Sequence, residues 1–467
     1  MAMDVVERVE AVTRYGAVRG TREGSVAVFR GIPYAAPPVG PHRFAAPAPP
    51  EPWEGVREAV AFGPTAPKTP YPEPFASLLT DPVHPGDDCL NLNVWTPEPG
   101  AGAALPVMVW IHGGALTRGS SAVPVYDGSS FARDGVVLVS LNYRLGVEGF
   151  GHFPDAVPNR GLLDQIAALE WVRDNIAAFG GDPDRVTVFG ESAGAISIGA
   201  LLASPRAEGL FRRAVLQSGP PEALPHVKVR AMVRRMAARL KVPATAAAFA
   251  EVDPDDLLAA QAAVLRRSSP LLGGAAFGIV EDGDAVPGDP LARLVAGEAG
   301  ADVPLLLGWT DEEYRLWLAP TGVLGHLNRM GPLALALTAA RAGMPLAAVR
   351  ARRAAQPELP VGEVAGQVLT DRLLRDPLRA LAAAERRAPA YVYEFGWRSG
   401  IPGLGSCHAL ELGFVFDVLD TPAARALAGP GAPQELADAM HAAWVSFAVT
   451  GDPGWAPAPG EPRRFSA

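Results

Sequence analysis

Several short runs of this chain are apolar at nearly every position, and between them apolar residues recur every three to four places. Pro106-Val107-Met108-Val109-Trp110-Ile111 and Val303-Pro304-Leu305-Leu306-Leu307-Gly308 are continuous apolar runs, the pattern of strands covered on both faces. Arg185-Val186-Thr187-Val188-Phe189, Ala214-Val215-Leu216 and Tyr391-Val392-Tyr393-Glu394-Phe395 read as further strands. Residues 159–179 predict a helix with Leu162, Leu163, Ile166, Leu169, Val172 and Ile176 on one face. Strand and helix signals alternate along the chain, which predicts an α/β architecture around a mostly parallel sheet. The first 85 residues are rich in Pro and Gly, with short strands leading into that core. From 221 to 272 and from 316 to 387, Ala/Leu/Arg-rich helical patterns replace the strand signals, and these segments are expected as helical caps inserted into one domain over residues 1–467. No internal repeat is visible.

Chemistry enters where two of the strands end. Gly190-Glu191-Ser192-Ala193-Gly194 follows the run ending at Phe189 and precedes an Ala-rich stretch, so Ser192 falls at the apex of a strand–turn–helix. Glycine on either side lets strand and helix approach closely, and the helix N-terminus favours the negative charge that an attacked ester carbonyl develops. Pro106–Ile111 runs into His112-Gly113-Gly114-Ala115, whose small residues let the N–H groups of Gly114 and Ala115 join that of Ala193 as oxyanion donors. His112 itself is expected to shape the loop.

In this chain order, nucleophile then acid then base, four histidines can serve Ser192: His226, His326, His408 and His441. His408 stands in the small-residue loop Gly405-Ser406-Cys407-His408-Ala409-Leu410-Glu411, just beyond the strand at 391–395, and is the expected base. His441 falls in a stretch, 434–441, that reads as a solvated surface helix, and His226 and His326 lie in loop-like surroundings without a preceding strand. For the acid, the strand at 303–308 delivers Asp311-Glu312-Glu313 to the sheet's C-terminal edge.

Four longer motifs add to these. Phe29-Arg30-Gly31-Ile32-Pro33-Tyr34-Ala35 with Pro37-Pro38 and Arg43-Phe44, Asp87-Asp88-Cys89-Leu90-Asn91-Leu92-Asn93-Val94, Asn142-Tyr143-Arg144-Leu145-Gly146 and Phe179-Gly180-Gly181-Asp182-Pro183 together resemble the type-B carboxylesterases, the α/β-hydrolase family of bacterial para-nitrobenzyl esterases and animal cholinesterases. The resemblance spans nearly the whole chain. It implies an α/β-hydrolase fold and a serine carboxylesterase with Ser192 as nucleophile, Glu312 as acid and His408 as base. Gly114, Ala115 and Ala193 would form the oxyanion hole, supported by Glu191, Ser218 and Gly113. Three departures from the family stand out. Glu313 replaces the glycine after the acid, so two carboxylates compete to face His408, with motif position favouring Glu312. Leu116 replaces an aromatic after Gly-Gly-Ala, and the cysteine that pairs with the Cys89 position in exported relatives is missing. The same triad could serve amides, carbamates or thioesters, and a non-catalytic binding module of the cholinesterase kind is the alternative of another class.

Composition bears on partners and compartment. With 41 basic and 50 acidic residues the net charge is −9, which disfavours nucleic acid, and pairs such as Arg234-Arg235 and Arg266-Arg267 read as solvated helix surface. The start of the chain has no signal-peptide pattern and no segment reads as membrane-spanning, so a cytoplasmic enzyme, monomeric or weakly homo-oligomeric, is expected. Two cysteines, Cys89 and Cys407, suit a reducing compartment. Cys407 neighbours the expected base but lacks an elbow and reads as a packed residue. No nucleotide, metal or redox motif occurs, so no cofactor is expected. An apolar cleft with Leu116, Phe277, Trp309 and Trp317 as candidate lining would suit uncharged small-to-medium acyl or aromatic esters.

Overall fold

A computed structural model of the chain describes residues 7–100, 102–266, 268–269 and 276–466. Among these residues twelve strands join one sheet: β1 (Arg8–Thr13), β2 (Gly16–Glu23), β3 (Val26–Pro33), β4 (Val56–Glu58), β5 (Asn91–Thr96), β6 (Leu105–Ile111), β7 (Val137–Leu141), β8 (Gly181–Glu191), β9 (Arg213–Gln217), β10 (Leu305–Thr310), β11 (Ala390–Phe395) and β12 (Arg463–Phe465). Their order is β1-β2-β3-β5-β7-β6-β8-β9-β10-β11-β12, with β4 beside β2. Along that order pairing is antiparallel from β1 to β7 and parallel from β7 to β12, and β4 pairs with β2 in parallel.

The continuous apolar runs are explained by a core on each side of the sheet. In β6, Val107, Val109 and Ile111 enter one apolar cluster while Met108 and Trp110 enter the other. β10 divides likewise, Leu305, Leu307 and Trp309 facing one way and Leu306 the other. A strand with period 2 and two dry faces has no position left for a polar residue.

The predicted helix at 159–179 runs as an α-helix from Arg160 to Asn175 and tightens to a 3₁₀ turn over Ile176–Phe179. All six of its predicted apolar residues are buried. The Ala-rich segments hold helices His226–Leu240, Ala246–Ala250 and Pro254–Leu265, then a series from Arg315–Leu318 to Asp376–Ala382 with its own small core around Tyr314, Leu335 and Val364. Of the first segment, residues 267 and 270–272 lie outside the described residues, as do 1–6 at the start. His226 and His326 stand exposed on helices. The expectation for His441 is corrected: helix Gln434–Thr450 packs against the sheet, and His441 is buried, Nδ1 donating to the Val415 carbonyl at 2.8 Å. The buried face starts within 434–441 at Leu436, Ala437 and Met440 and is confirmed as a core face only by Trp444 and Phe447 further on.

One ion pair ties the helix after β7 to the sheet. Arg144 Nε and Nη2 reach the two Asp164 oxygens at 2.8 and 2.6 Å, its own N–H reaches Oδ2 at 3.0 Å, and Nη1 donates to the Ala45 carbonyl at 2.7 Å. Both side chains are essentially inaccessible. Asp164→Ala leaves a buried guanidinium without its anion, so urea unfolding of that variant is expected to show a loss of about 3–5 kcal/mol.

Candidate active site

Strand register gathers the site. Ile111 pairs with Gly190, Gly190 with Leu216, Gln217 with Gly308, and Gly308 with Tyr393. The loops leaving β6, β8, β9, β10 and β11 therefore open on one edge of the sheet, where open α/β sheets carry their ligand sites. A cleft of about 2110 Å³ lies there.

Ser192 forms the turn between β8 and helix Ala193–Ala203 at φ 56°, ψ −122°, a conformation costly for a residue with a Cβ. Its N–H donates to the Gln217 carbonyl and its carbonyl accepts from Ile196, both at 2.9 Å. A Cβ on Gly190 would stand 2.6 Å from the Ile111 carbonyl oxygen, and one on Gly194 would press on the same carbonyl. Across the gap, Gly114, Ala115 and Leu116 all take positive φ, at 110°, 55° and 57°. The loop they form is braced from behind by His112, whose ring stacks 4.5 Å from that of Tyr143 and whose Nδ1 donates to the Gly113 carbonyl at 2.8 Å. Burial lowers the His112 pKa to about 3, so it is a neutral brace. On the other side of this loop Lys68 pairs with Asp81, donates to the Gly119 carbonyl at 3.0 Å, and Asp81 accepts from the Gly119 N–H at 3.2 Å. Gly113, Gly114, Ala115, Ser192, Ala193 and His408 all line the cleft.

His408 sits between two carboxylates. Its Nδ1 is 2.5 Å from Glu313 Oε2 and its Nε2 is 2.8 Å from Glu191 Oε1, the latter out of line for a hydrogen bond. All three side chains are buried. Burial works against a charged imidazole, but the attraction of Glu191 and Glu313 outweighs it and holds the His408 pKa well above the ordinary value. Glu313 is desolvated too, which alone would raise it; His408, the Ser218 hydroxyl and the Thr310 N–H, the last at 2.8 Å, together hold it below its ordinary value. A third carboxylate, Glu411, is also buried, and desolvation with repulsion from Glu191 and Glu313 raises it to about 8. Gln217 donates to it at 3.3 Å and in turn accepts from Trp444 at 3.1 Å. Trp317 covers the outer face of His408, with ring centroids 4.5 Å apart.

The expectation for Glu312 is overturned. Its carboxylate accepts from Arg315 Nε at 2.7 Å, from the Ser406 N–H at 2.9 Å and from Arg398, and its N–H donates to the Ser406 carbonyl at 2.8 Å. Glu312 therefore fastens the loop that carries His408, while the carboxylate on the imidazole is one residue further along. The family's motif position points to Glu312, but the turn at 311–314 swings residue 313 inward, where it also accepts from the Thr310 N–H. Trp309 is likewise corrected: it lies in the core beneath β10 with Arg379 stacked 5.0 Å from its ring, away from the cleft. Leu116, Phe277, Trp317 and Ser218 do line the cleft. Glu411 was missed, and its only sequence signal is its place three residues after His408. Cys89 and Cys407 are buried and unbridged, and burial pushes the Cys407 thiol well up, which disfavours a thiolate.

Residues 7–325 match the model of the carboxylesterase family. The chain is 40% identical to the para-nitrobenzyl esterase of Bacillus subtilis, over 94% of this chain and 90% of that protein. It is 35% identical to the phenmedipham hydrolase of Pseudarthrobacter oxydans, over 96% and 91%. Among solved structures, the carboxylesterase EST55 of Geobacillus stearothermophilus superposes with a TM-score of 0.86 at 38% identity, covering 98% of this chain and 96% of that one. A PNB esterase superposes at 0.80 with 36% identity, covering 96% and 91%. The chain belongs to the carboxylesterase family, with its α/β-hydrolase fold. It is a carboxylic ester hydrolase.

The electrostatics of the histidine can be read directly. Removing the charge of Glu191 by Glu191→Gln withdraws one of the two anions that favour the imidazolium, so the ¹⁵N-NMR titration of His408 is expected to move to lower pH than in the wild type. A titration left in place would mean that Glu313 alone sets it.

Proposed function

We propose that Ser192 is the nucleophile, His408 the general base and Glu313 the acid of a serine hydrolase triad, with Gly114, Ala115 and Ala193 as oxyanion donors. The observation that carries this is the 2.5 Å contact of Glu313 with His408 Nδ1 at the edge of the cleft that Ser192 lines. With Nδ1 committed to Glu313, Nε2 is the nitrogen left to take the Ser192 proton as Oγ attacks the ester carbonyl. The new oxyanion forms beside N–H groups already fixed by the bracing of His112 and by the helix start, so little reorganisation accompanies the charge. The imidazolium then protonates the leaving alcohol, and water attacks the acyl-enzyme by the same route. Glu191 and Glu313 stabilise this imidazolium, and a desolvated pair of anions lowers the barrier to reach it.

The apolar wall of Leu116, Phe277 and Trp317 supports small-to-medium acyl or aromatic esters, in keeping with the name of the para-nitrobenzyl esterase relative. In the same reading the helices of 226–265 and 315–382 are caps on a single catalytic domain. The two unbridged cysteines favour a cytoplasmic enzyme, and no helix among the described residues is long and apolar enough to cross a membrane.

Two tests follow from these roles. Ser192→Ala, in which alanine keeps the fold, is expected to lower turnover of a p-nitrophenyl ester by roughly 10⁴-fold or more, and a fluorophosphonate should label the wild type once, on the Ser192 peptide. Most activity persisting in the variant, or a label elsewhere, would retire the serine mechanism. Glu313→Gln is expected to cost about 10³- to 10⁴-fold in kcat, because the imidazole loses its tautomer and its counter-charge, whereas Glu312→Gln costs no more than about tenfold and shows instead as a lower Tm. The reverse ranking would return the acid to Glu312.

A further inference from the structure

The cleft is basic on an acidic protein. Seven of its lining residues are Lys or Arg against four Asp or Glu, although the chain as a whole carries −9. Two of the four acids are already matched, Asp81 by Lys68 and Glu191 by His408, which leaves Glu222 and Asp289. Glu222 lies in the field of Lys228, and Asp289 caps the Ala292 N–H at 2.7 Å.

The basic residues are ordered. Helix His226–Leu240 sends Val229, Val233 and Met236 into the core and presents Lys228, Ala231, Arg235 and Arg239 to the cleft. The spacing 228, 235, 239 is one helix face, and at 1.5 Å per residue the row runs about 16 Å along the wall. Arg266 at the end of helix Pro254–Leu265 and Arg372, whose Nε donates to the Ala342 carbonyl at 3.3 Å, also line the cleft. Among the described residues Lys228, Arg235, Arg239 and Arg266 make no ion pair with any acidic side chain. Arg235 and Arg266 are exposed, as the sequence predicts, and both also border the cleft that holds Ser192. These side chains are exposed, so their mutual repulsion is modest and salt-dependent, but a bound anion would relieve it and the concave wall would focus their field on that anion.

We propose that the wall formed by Lys228, Arg235 and Arg239, with Arg266 and Arg372, is an anion subsite, and that the enzyme prefers esters carrying a carboxylate or phosphate remote from the scissile carbonyl. This rests on the serine hydrolase reading above and narrows it. The reacting ester lies against the apolar residues around Ser192, and the anionic end extends along the basic wall. The expectation of uncharged substrates is thereby replaced by one of amphiphilic anions.

Matched pairs test it on the whole protein. Mono-p-nitrophenyl pimelate against p-nitrophenyl heptanoate places the anion on the acyl side as a carboxylate, and 2-(phosphonooxy)ethyl hexanoate against 2-hydroxyethyl hexanoate places it on the alcohol side as a phosphate. In at least one pair kcat/KM is expected to favour the anion by about tenfold at 10 mM salt and to lose most of that advantage by 0.3 M, as the screening length contracts from about 30 Å to under about 10 Å. Arg235→Glu/Arg239→Glu should reduce the anionic-to-neutral ratio by about tenfold or more, and Arg235→Lys/Arg239→Lys should restore most of it. The favoured pair identifies the anion's source and side. Neutral members cleaved at rates equal to or above their anionic partners in both pairs, or a ratio indifferent to salt and to charge reversal, would overturn the subsite. Absence of turnover for every ester would instead count against the triad. Equilibrium binding of the pimelate monoester and the heptanoate to Ser192→Ala protein, followed by tryptophan fluorescence, then decides the subsite independently, with tighter, salt-sensitive binding of the monoester expected and equal binding overturning it.

Discussion

Everything in the site depends on how closely the turn at Ser192 can approach the end of β6. Two glycines, Gly190 and Gly194, bring the backbone of the turn against the Ile111 carbonyl, where any side chain would collide. That approach sets the Ser192 hydroxyl beside the loop 113–116, and it is possible only because β6 and β8 are neighbours in parallel register with Ile111 opposite Gly190. The strained φ of Ser192 is the cost, of order 1–3 kcal/mol, and the hydrogen bonds to Gln217 and Ile196 on either side, with two dry faces of sheet beneath, supply the rigidity that holds it. Rigid register is thus converted into placement of a nucleophile and its oxyanion donors, with no long-range machinery.

A second constraint is electrostatic. Three buried carboxylates, Glu191, Glu313 and Glu411, surround one buried imidazole, and they cannot all be ionised in so little water. The conflict is resolved unequally. Glu313 keeps its charge through the imidazole and the Thr310 N–H, whereas Glu411, with Gln217 as its hydrogen-bond partner, takes up a proton readily. The excess of negative charge raises the affinity of His408 for a proton. That stabilises the imidazolium formed in each acyl-transfer step but requires a higher pH to free the base beforehand, so acid sensitivity and catalytic stabilisation come from the same carboxylates.

Much of this was legible in the sequence because it is written in local patterns. Apolar runs located β6, β8, β9, β10 and β11, and glycine spacing located the turn at Ser192 and the loop after β6. What sequence could not resolve was direction within a turn. Asp311, Glu312 and Glu313 are equivalent as text, yet a four-residue turn sends one carboxylate to His408 and another to Arg315 and Arg398. His441 differs from the surface-helix expectation because Leu436, Ala437 and Met440 begin a buried face that Trp444 and Phe447 extend, and His441 falls on that face of the 17-residue helix. The basic face at 228, 235 and 239 has an obvious helical period, but whether such a face meets solvent or a cleft is a tertiary fact.

The segment 69–81 shows how such a cleft is kept in shape without a disulfide. It forms part of the wall, and its ends are joined where Lys68 meets Asp81, both buried. Burial pulls the Lys68 pKa down and Asp81 opposes that, so the pair is stable only as a pair. Lys68 also holds the Gly119 carbonyl and Asp81 the Gly119 N–H, which ties the wall to the loop bearing Gly114 and Ala115. Cys89 is unbridged, and the Lys68–Asp81 pair closes the segment together with the Thr65 N–H, which donates to the His84 carbonyl at 2.9 Å. An ordered hydrogen-bonded junction of this kind fixes the wall relative to the oxyanion donors as one unit, and the geometry around Ser192 then depends on a charge pair that is shielded from solvent and salt.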